Sequence, residues 1–544
     1  RGDVDRREAA AVGQAPVEAG PIAPEFGVPE AYAAALPMTA PISAPAGVPG
    51  SPYYFLGEAA ALSSAHQAPI ASADNHVVAH PFELPGEIAL RRVREELAKQ
   101  RSLPAAAPPA LPGHGGYYFL DQPASVPLAD ATRFPAFDVQ AVRRDFPILS
   151  ERVNGKPLVW FDNAATTQKP QAVIDRLVQF YQHENSNIHR AAHELAARAT
   201  DAYEAARGKV ARFLGAASAE EIIFVRGATE AINLVAKSWG RQNIREGDEI
   251  VVSLLEHHAN IVPWQQLAKD SGARIRVIPV DDRGQILLEE YQRLLNDRTK
   301  LVAISQVSNA LGTVTPVKEI VELAHRVGAR VLVDGAQSVS HMRVNVQAID
   351  TDFFVFSGHK VFAPTGIGVV YGKRDILEDM PPWQGGGNMI ADVTFERTLY
   401  QGVPARFEAG TGNIADAAGL GAAIDYVERI GIENIARYEH DLLAYATQRV
   451  RPIPGIRLIG TADDKASVLS FVLAGYRPEE VGAALNEEGI AIRAGHHCAQ
   501  PILRRFGVEA TVRPSLAFYN TCAEVDLLVS VLQRLARGKG RALG

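Results

Sequence analysis

Lys360, Asp334 and Cys498 are the residues whose types and settings could carry chemistry. Lys360 closes Ser357-Gly358-His359-Lys360, directly after the apolar run Phe353 to Phe356. A lysine at the end of a buried strand suits a Schiff base with an aldehyde. Ser357 and His359 beside it can donate to a phosphate on the same molecule. Taken alone, Ser-x-His-Lys fits a solvated strand-end lysine equally well. Asp334 lies 26 residues earlier, also ending an apolar run, Ala329 to Val333. A carboxylate there can pair with a protonated pyridine nitrogen, or simply cap the next helix. Cys498 sits in Ile490-Ala-Ile-Arg-Ala-Gly-His-His-Cys-Ala-Gln-Pro501. Its neighbours Arg493, His496 and His497 suit a nucleophilic thiolate better than an inert buried thiol.

A Schiff-base lysine, a pyridine-pairing aspartate and a phosphate cradle together describe a pocket for pyridoxal phosphate. The cradle is Arg226-Gly-Ala-Thr-Glu-Ala-Ile-Asn233, which follows the strand-like run Glu221 to Val225. Gly227 permits a tight turn, and the amides of Ala228 and Thr229 with the Thr229 hydroxyl open a helix. His257, after the run Glu249 to Ser253, can stack on a pyridine face. Gln337 can reach the ring hydroxyl. The His257-His258 pair could instead suggest a metal, but no Cys or carboxylate cluster supports one. The run Leu301 to Ser305 leads to Asn309, and Arg513 can form a bidentate pair with a substrate carboxylate. The polar loop Asn185 to Arg190 places His189 where it can line the site, or it is a plain loop.

The elements that must position these groups alternate strand and helix from about 160 to 375. That pattern implies an α/β fold with a mainly parallel, doubly wound sheet, whose ligands bind past the strand ends. A helix is expected at Asp138 to Phe146 and another from about Asp416. A strand is expected at Ser467 to Val472. Residues 136–420 read as a large cofactor domain, of which 136–160 can pack with the small domain that follows it. Residues 421–544 read as a small α+β domain carrying Cys498.

Bulk properties narrow the class. A net charge of −7 over 544 residues implies no nucleic-acid partner. No apolar run is long enough to span a membrane, and no basic-then-apolar signal opens the chain. Two cysteines cannot build a disulfide framework, so a reducing cytoplasm is expected, and Cys522 reads as structural.

Residues 1–135 are a different polymer. They hold 19 of the 34 prolines, too many for regular helix or central strand. A disordered arm is expected. Tyr53-Tyr-Phe-Leu56 recurs as Tyr117-Tyr-Phe-Leu120. Repeated aromatic islands on flexible chain suit docking peptides, and two copies raise avidity; otherwise the arm is a spacer. Pro81 to Ala98 carries a short amphipathic helix pattern.

From about 137 onward the chain resembles the SUF-type (group II) cysteine desulfurases. The match runs through Asp162-Asn-Ala-Ala-Thr-Thr-Gln, Asn187-Ile-His-Arg190, Arg226 to Asn233, Glu256-His-His-Ala-Asn-Ile-Val-Pro-Trp264, Val333-Asp-Gly-Ala-Gln337, Ser357 to Lys360 and Arg493 to Pro501. The resemblance implies the fold-type I architecture of pyridoxal-phosphate transferases, with a mainly parallel seven-stranded sheet in the large domain, and a homodimer. It implies that Lys360 holds the cofactor and moves the Cα proton. It puts His257 on the ring, Asp334 on its nitrogen and Gln337 on its hydroxyl. Thr229, Ser357 and His359 take the phosphate with Ala228, and Thr411 is contributed by the second subunit. Asn309 and Arg513, with Arg493 and His189, hold L-cysteine. Cys498 attacks the substrate sulfur, alanine leaves, and the persulfide passes to an acceptor such as a small SufE-like protein for iron–sulfur cluster assembly. Ala191 departs from the glycine usual after this arginine. The arm resembles that of desulfurases packaged in encapsulin shells, which implies a shell compartment. A selenocysteine lyase is the close alternative. An aminotransferase or epimerase of the same fold is disfavoured by the Cys498 segment.

Overall fold

Seven apolar segments form one sheet: Ile222–Val225 (β1), Glu249–Ser253 (β2), Arg274–Ile278 (β3), Thr299–Ser305 (β4), Arg330–Asp334 (β5), Phe353–Ser357 (β6) and Gly368–Gly372 (β7). The order is β1-β7-β6-β5-β4-β2-β3. Neighbours from β6 through β3 pair in parallel. β7 runs antiparallel to both β6 and β1. The computed structural model describes residues 137–189 and 193–540. The arm at 1–135, with its two aromatic islands and the helix pattern at 81–98, lies outside these residues, as do Arg190 and Ala191.

Both faces of this sheet are covered, which is why its strands read as continuous apolar runs. The alternation along β6 sends Phe354 and Phe356 into one core and Phe353 and Val355 into the other. Each fully buried phenylalanine contributes about 1.5–3 kcal/mol. The parallel strands β2, β4, β5 and β6 all end on one side of the sheet, at Ser253, Ser305, Asp334 and Ser357. Because β7 is reversed, its first residue Gly368 pairs with both Ser357 and Val225. Only glycine fits there: a Cβ on Gly368 would lie 2.4 Å from the Cα of Gly227. That close approach brings the Gly227 turn against the end of β6.

A second, antiparallel sheet holds the Cys498 segment. Its strands are Ile456–Ile459 (β8), Ser470–Leu473 (β9), Arg493–Gly495 (β10) and Thr511–Arg513 (β11), in the order β8-β9-β11-β10. The strand expected at 467–472 begins later. Ser467 adopts φ 39°, which interrupts extended backbone, and its hydroxyl is drawn to the buried Glu439 at 2.9 Å. The expected helix after Asp138 is present as Val139–Arg144, capped by the Asp138 side chain. The expected helix near Asp416 spans Ile414–Ile430. Val159–Trp160 pairs in parallel with Ile490–Ala491, stitching the start of the described chain to the segment before β10. An exposed hairpin, Ile390–Val393 with Thr398–Tyr400, was not anticipated from the sequence. Among the described residues no helix is long and apolar enough to cross a membrane.

Candidate active site

The polar residues at the strand ends converge on a cavity of about 420 Å³. Lys360 enters it from the short turn Gly358–Lys360 after β6. Loss of solvent lowers its amine pKa; the charge of Asp334 opposes this and Arg513 adds to it. Asp334 is 6% exposed, and burial raises its carboxyl pKa despite the Ala336 amide at 2.9 Å and the Lys360 charge. Gln337 donates to the Ala164 carbonyl at 2.7 Å. The Ser357 hydroxyl accepts from the Ala228 amide at 2.8 Å, linking β6 to the first turn of the helix Ala228–Val235. Thr229 lines the cavity from that same turn. The His359 carbonyl accepts from the Thr167 amide and from both threonine hydroxyls of Thr166 and Thr167. Its imidazole pKa falls to about 4, through burial first and then Lys360 and Lys169.

His257 is carried by a turn just past β2. Its Nδ1 accepts from the Ala259 amide at 3.0 Å, which fixes the tautomer. Burial, then Lys360, His258 and Arg513, lower its pKa to about 3. It is therefore a neutral ring at pH 7, suited to stacking. Beneath the turn lies a network that sequence reasoning missed. Glu256 is fully buried and accepts from Ser253 Oγ at 2.5 Å, Ser305 Oγ at 2.6 Å and Asn260 Nδ2 at 2.6 Å. Asn260 in turn accepts from the Trp264 indole. No cation pairs with Glu256 in this network, and burial pushes its pKa up to about 7 against the three hydrogen bonds.

This carboxyl makes a testable stability prediction. A folded pKa near 7 against an ordinary 4.5 means the folded state binds the proton more tightly, so the stabilisation present below pH 4.5 is lost as pH rises towards 7. Relative to Glu256→Gln, the wild type should lose about 3 kcal/mol of unfolding free energy across that window. Denaturant unfolding of both proteins at pH 4.5, 6 and 7.5 checks it; parallel profiles refute it.

The opposite wall comes from the second sheet. After β10 the chain turns through His497 and Cys498, with φ of 55° and 53°. Non-glycine residues held this way cost about 1–3 kcal/mol each and persist only where the surroundings hold them. Here Asn309 Nδ2 donates to the His497 carbonyl at 2.7 Å, and the His258 amide donates to the Cys498 carbonyl at 2.8 Å. The Cys498 amide donates to His496 Nδ1 at 3.0 Å. Three buried polar atoms on this wall have no partner: Asn309 Oδ1, His497 Nδ1 and Arg513 Nε. An unpaired buried polar atom costs about 1–3 kcal/mol, and all three residues line the cavity, which fits a site for a polar ligand. Together with the enclosed amine, the buried carboxyl and the Ser357-Ala228-Thr229 turn, the donor set fits pyridoxal phosphate with an amino acid beside it.

Lys360, Cys498, His257, Ala228, Thr229, Asp334, Gln337, Ser357, His359, Asn309, Arg493 and Arg513 all line this one cavity. Two expected residues do not. His189 adopts φ 61° and its ring meets Glu204 at 3.1 Å on the helix Glu194–Leu214. Thr411 lines a separate cleft with Tyr181 and Asn187. Ser305, named only as a strand end, lines the main cavity, as do Ala164 and His496. Among the described residues no group of three or more His, Cys, Asp or Glu is placed to hold a metal ion.

The Aminotransferase class-V family model matches residues 159–528. A cysteine desulfurase of Synechococcus elongatus is 67% identical over 446 residues, covering 78% of this chain and 71% of that protein. One from Enterobacter sp. is 52% identical over 401 residues, covering 74% and 98%. Among solved structures, the apo cysteine desulfurase of Thermococcus onnurineus superposes with a TM-score of 0.70 at 38% identity, over 73% of this chain and 98% of that one.

Proposed function

The chain belongs to the class-V aminotransferase family as a cysteine desulfurase, and from that premise we propose that it is a SUF-type enzyme whose Cys498 receives the sulfur of L-cysteine. Its cofactor is pyridoxal phosphate, which when bound withdraws electrons from the substrate's Cα–H and Cβ–S bonds. The observation that carries the reading is the placement of Cys498 and Lys360 on one cavity, each carried by a segment next to a different sheet.

The roles follow from position. Lys360 would anchor the cofactor through its amine and would take and return the substrate's Cα proton. The neutral His257 ring would cover the cofactor face, and Asp334 would keep the pyridine nitrogen protonated. Gln337 would meet the ring hydroxyl, while Ala228, Thr229, Ser357 and His359 would hold the phosphate. Arg513 and Asn309 hold the substrate carboxylate, with Arg493 at the mouth. The Cys498 thiolate attacks the substrate sulfur: an S–S bond forms, the Cβ–S bond breaks, and its electron pair returns to carbon. Two proton deliveries to carbon then yield L-alanine. The sum is cysteine plus thiol giving alanine plus persulfide, with sulfur oxidised and carbon reduced.

The same proposal includes the division at about residue 420 between a cofactor domain and a Cys498 domain. It includes a homodimer, supported by Thr411 lying in a cleft away from this chain's own cavity. A small SufE-like protein is the proposed persulfide acceptor, feeding iron–sulfur cluster assembly. The proline-rich arm, with its repeated aromatic islands, is proposed to tether the enzyme to a shell of the encapsulin type in the cytoplasm; this rests on composition alone.

The test is a single turnover. Enzyme loaded with cofactor and given L-cysteine without reductant should form alanine in step with a peptide that carries Cys498 plus one sulfur atom. L-selenocysteine run in parallel measures the preference. Alanine released with no modified Cys498 peptide would overturn the proposed route.

A further inference from the structure

Asp162 has no role in the reading so far, yet its carboxylate holds both arginines of the substrate wall. Oδ1 accepts from Arg513 Nη2 at 3.0 Å. Oδ2 accepts from Arg493 Nε at 3.1 Å, and Arg493 Nη2 lies 2.9 Å away. Arg493 and Arg513 are directly opposite each other on antiparallel β10 and β11. Like charges in that arrangement repel across the ladder. A carboxylate from elsewhere in the chain resolves the repulsion, 331 residues from one arginine and 351 from the other.

We propose that Asp162 is a positioning residue for substrate binding: it orients the Arg513 guanidinium and keeps the site one positive charge in excess, to match a single α-carboxylate. The inference rests on the reading of Arg513 as the carboxylate-binding residue. Arg513 is 3% exposed, and its groups are pinned at two points. Nη1 donates to the Asn309 carbonyl at 3.0 Å and Nη2 to Asp162. Nε is left buried without a partner. A planar fork fixed at both terminal nitrogens has the directions of its other three N–H donors set. The charge count agrees: two guanidiniums against one carboxylate leave one positive charge. Asp162 is itself fixed, because its backbone bridges to Ser515 and the adjacent Phe161 carbonyl accepts from the Ser515 amide at 2.8 Å. It does not line the cavity, so it acts through the arginines.

The test compares holoenzymes carrying Asp162→Asn or Arg513→Gln. Binding of L-alanine and of ethylamine, the same amine without the carboxylate, is read from cofactor absorbance. Asp162→Asn should weaken L-alanine about ten-fold or more and leave ethylamine within about two-fold, with KM for L-cysteine rising and kcat little changed. Arg513→Gln should do the same more strongly. Equal weakening of alanine and ethylamine in Asp162→Asn would overturn the proposal, as general damage. A selective loss in Arg513→Gln but not in Asp162→Asn would overturn it while leaving the Arg513 reading intact. No selective loss in either would remove that reading as well. If Asp162→Asn does not fold, Asp162→Glu keeps the counter-charge and displaces it by one methylene; the same alanine-selective loss is expected, and its absence overturns the proposal.

Discussion

Lys360→Ala should lower turnover of L-cysteine by about 10³-fold or more, since on the proposed reading it removes both the covalent anchor and the group that moves the Cα proton. The residue suits that work because two opposing influences act on one amine. Removal from water lowers its pKa and Asp334 pulls it back up. The result is an amine that can shed and regain a proton nearer to neutral pH than a solvated lysine can. The rest of the cradle does not depend on Lys360: the Ser357–Ala228 bond and the Gln337–Ala164 bond are made by other side chains. Cofactor binding should therefore survive in non-covalent form, visible as retained protein-bound absorbance without covalent attachment. A small primary amine added to the variant should restore part of the activity, because it can carry the same proton. His257 should also titrate higher, since Lys360 follows burial as the second cause of its depressed pKa. Activity within about ten-fold of wild type would exclude Lys360 as the proton carrier.

The chemistry that was legible in the sequence is the chemistry that parallel sheets advertise. Phe353 to Phe356 is apolar because both faces of β6 are buried, so the first polar residues after it mark where the strand leaves the core. The same holds at Asp334 and Ser305. What stayed hidden depends on contacts far apart in the chain. Asp162 stood inside a recognisable motif, but its partners Arg493 and Arg513 are placed only by the second sheet. Glu256 looked like part of a polar turn; its burial depends on Ser305, 49 residues away on another strand. His189 does not line this chain's cavity: its backbone is left-handed and its ring meets Glu204. The exposed hairpin at 390–400 has no buried face to leave a pattern, with Phe395 fully exposed and Val393 and Leu399 largely so. The late start of β9 reflects Ser467, whose hydroxyl answers to a buried carboxylate rather than to the strand.

Cys498→Ala should lower sulfur release from L-cysteine by about 10³-fold or more, because no other thiol lines the cavity and the substrate sulfur then has no acceptor. Cys522, the other cysteine, is buried, with its pKa pushed up to about 12, so it cannot substitute. The cofactor absorbance should be unchanged, since none of the cradle bonds involves Cys498. Cys498→Gly separates function from stability. The turn at φ 53° is one that glycine adopts freely and other residues do not. The hydrogen bonds from the His258 amide and to His496 use only the Cys498 backbone, so glycine keeps both. Relief of the left-handed strain is worth about 1–2 kcal/mol, and the extra chain entropy of glycine takes back about 0.5–1 kcal/mol. The glycine variant should thus be at least as stable as wild type in denaturant unfolding while being as inactive as the alanine variant. A clear loss of stability in Cys498→Gly would mean that the thiol, not the backbone bonds, holds the turn. Near wild-type alanine production by Cys498→Ala would remove Cys498 from the reaction. If both outcomes hold, the strain of this turn serves to place the proposed nucleophile, and the backbone hydrogen bonds alone hold the turn.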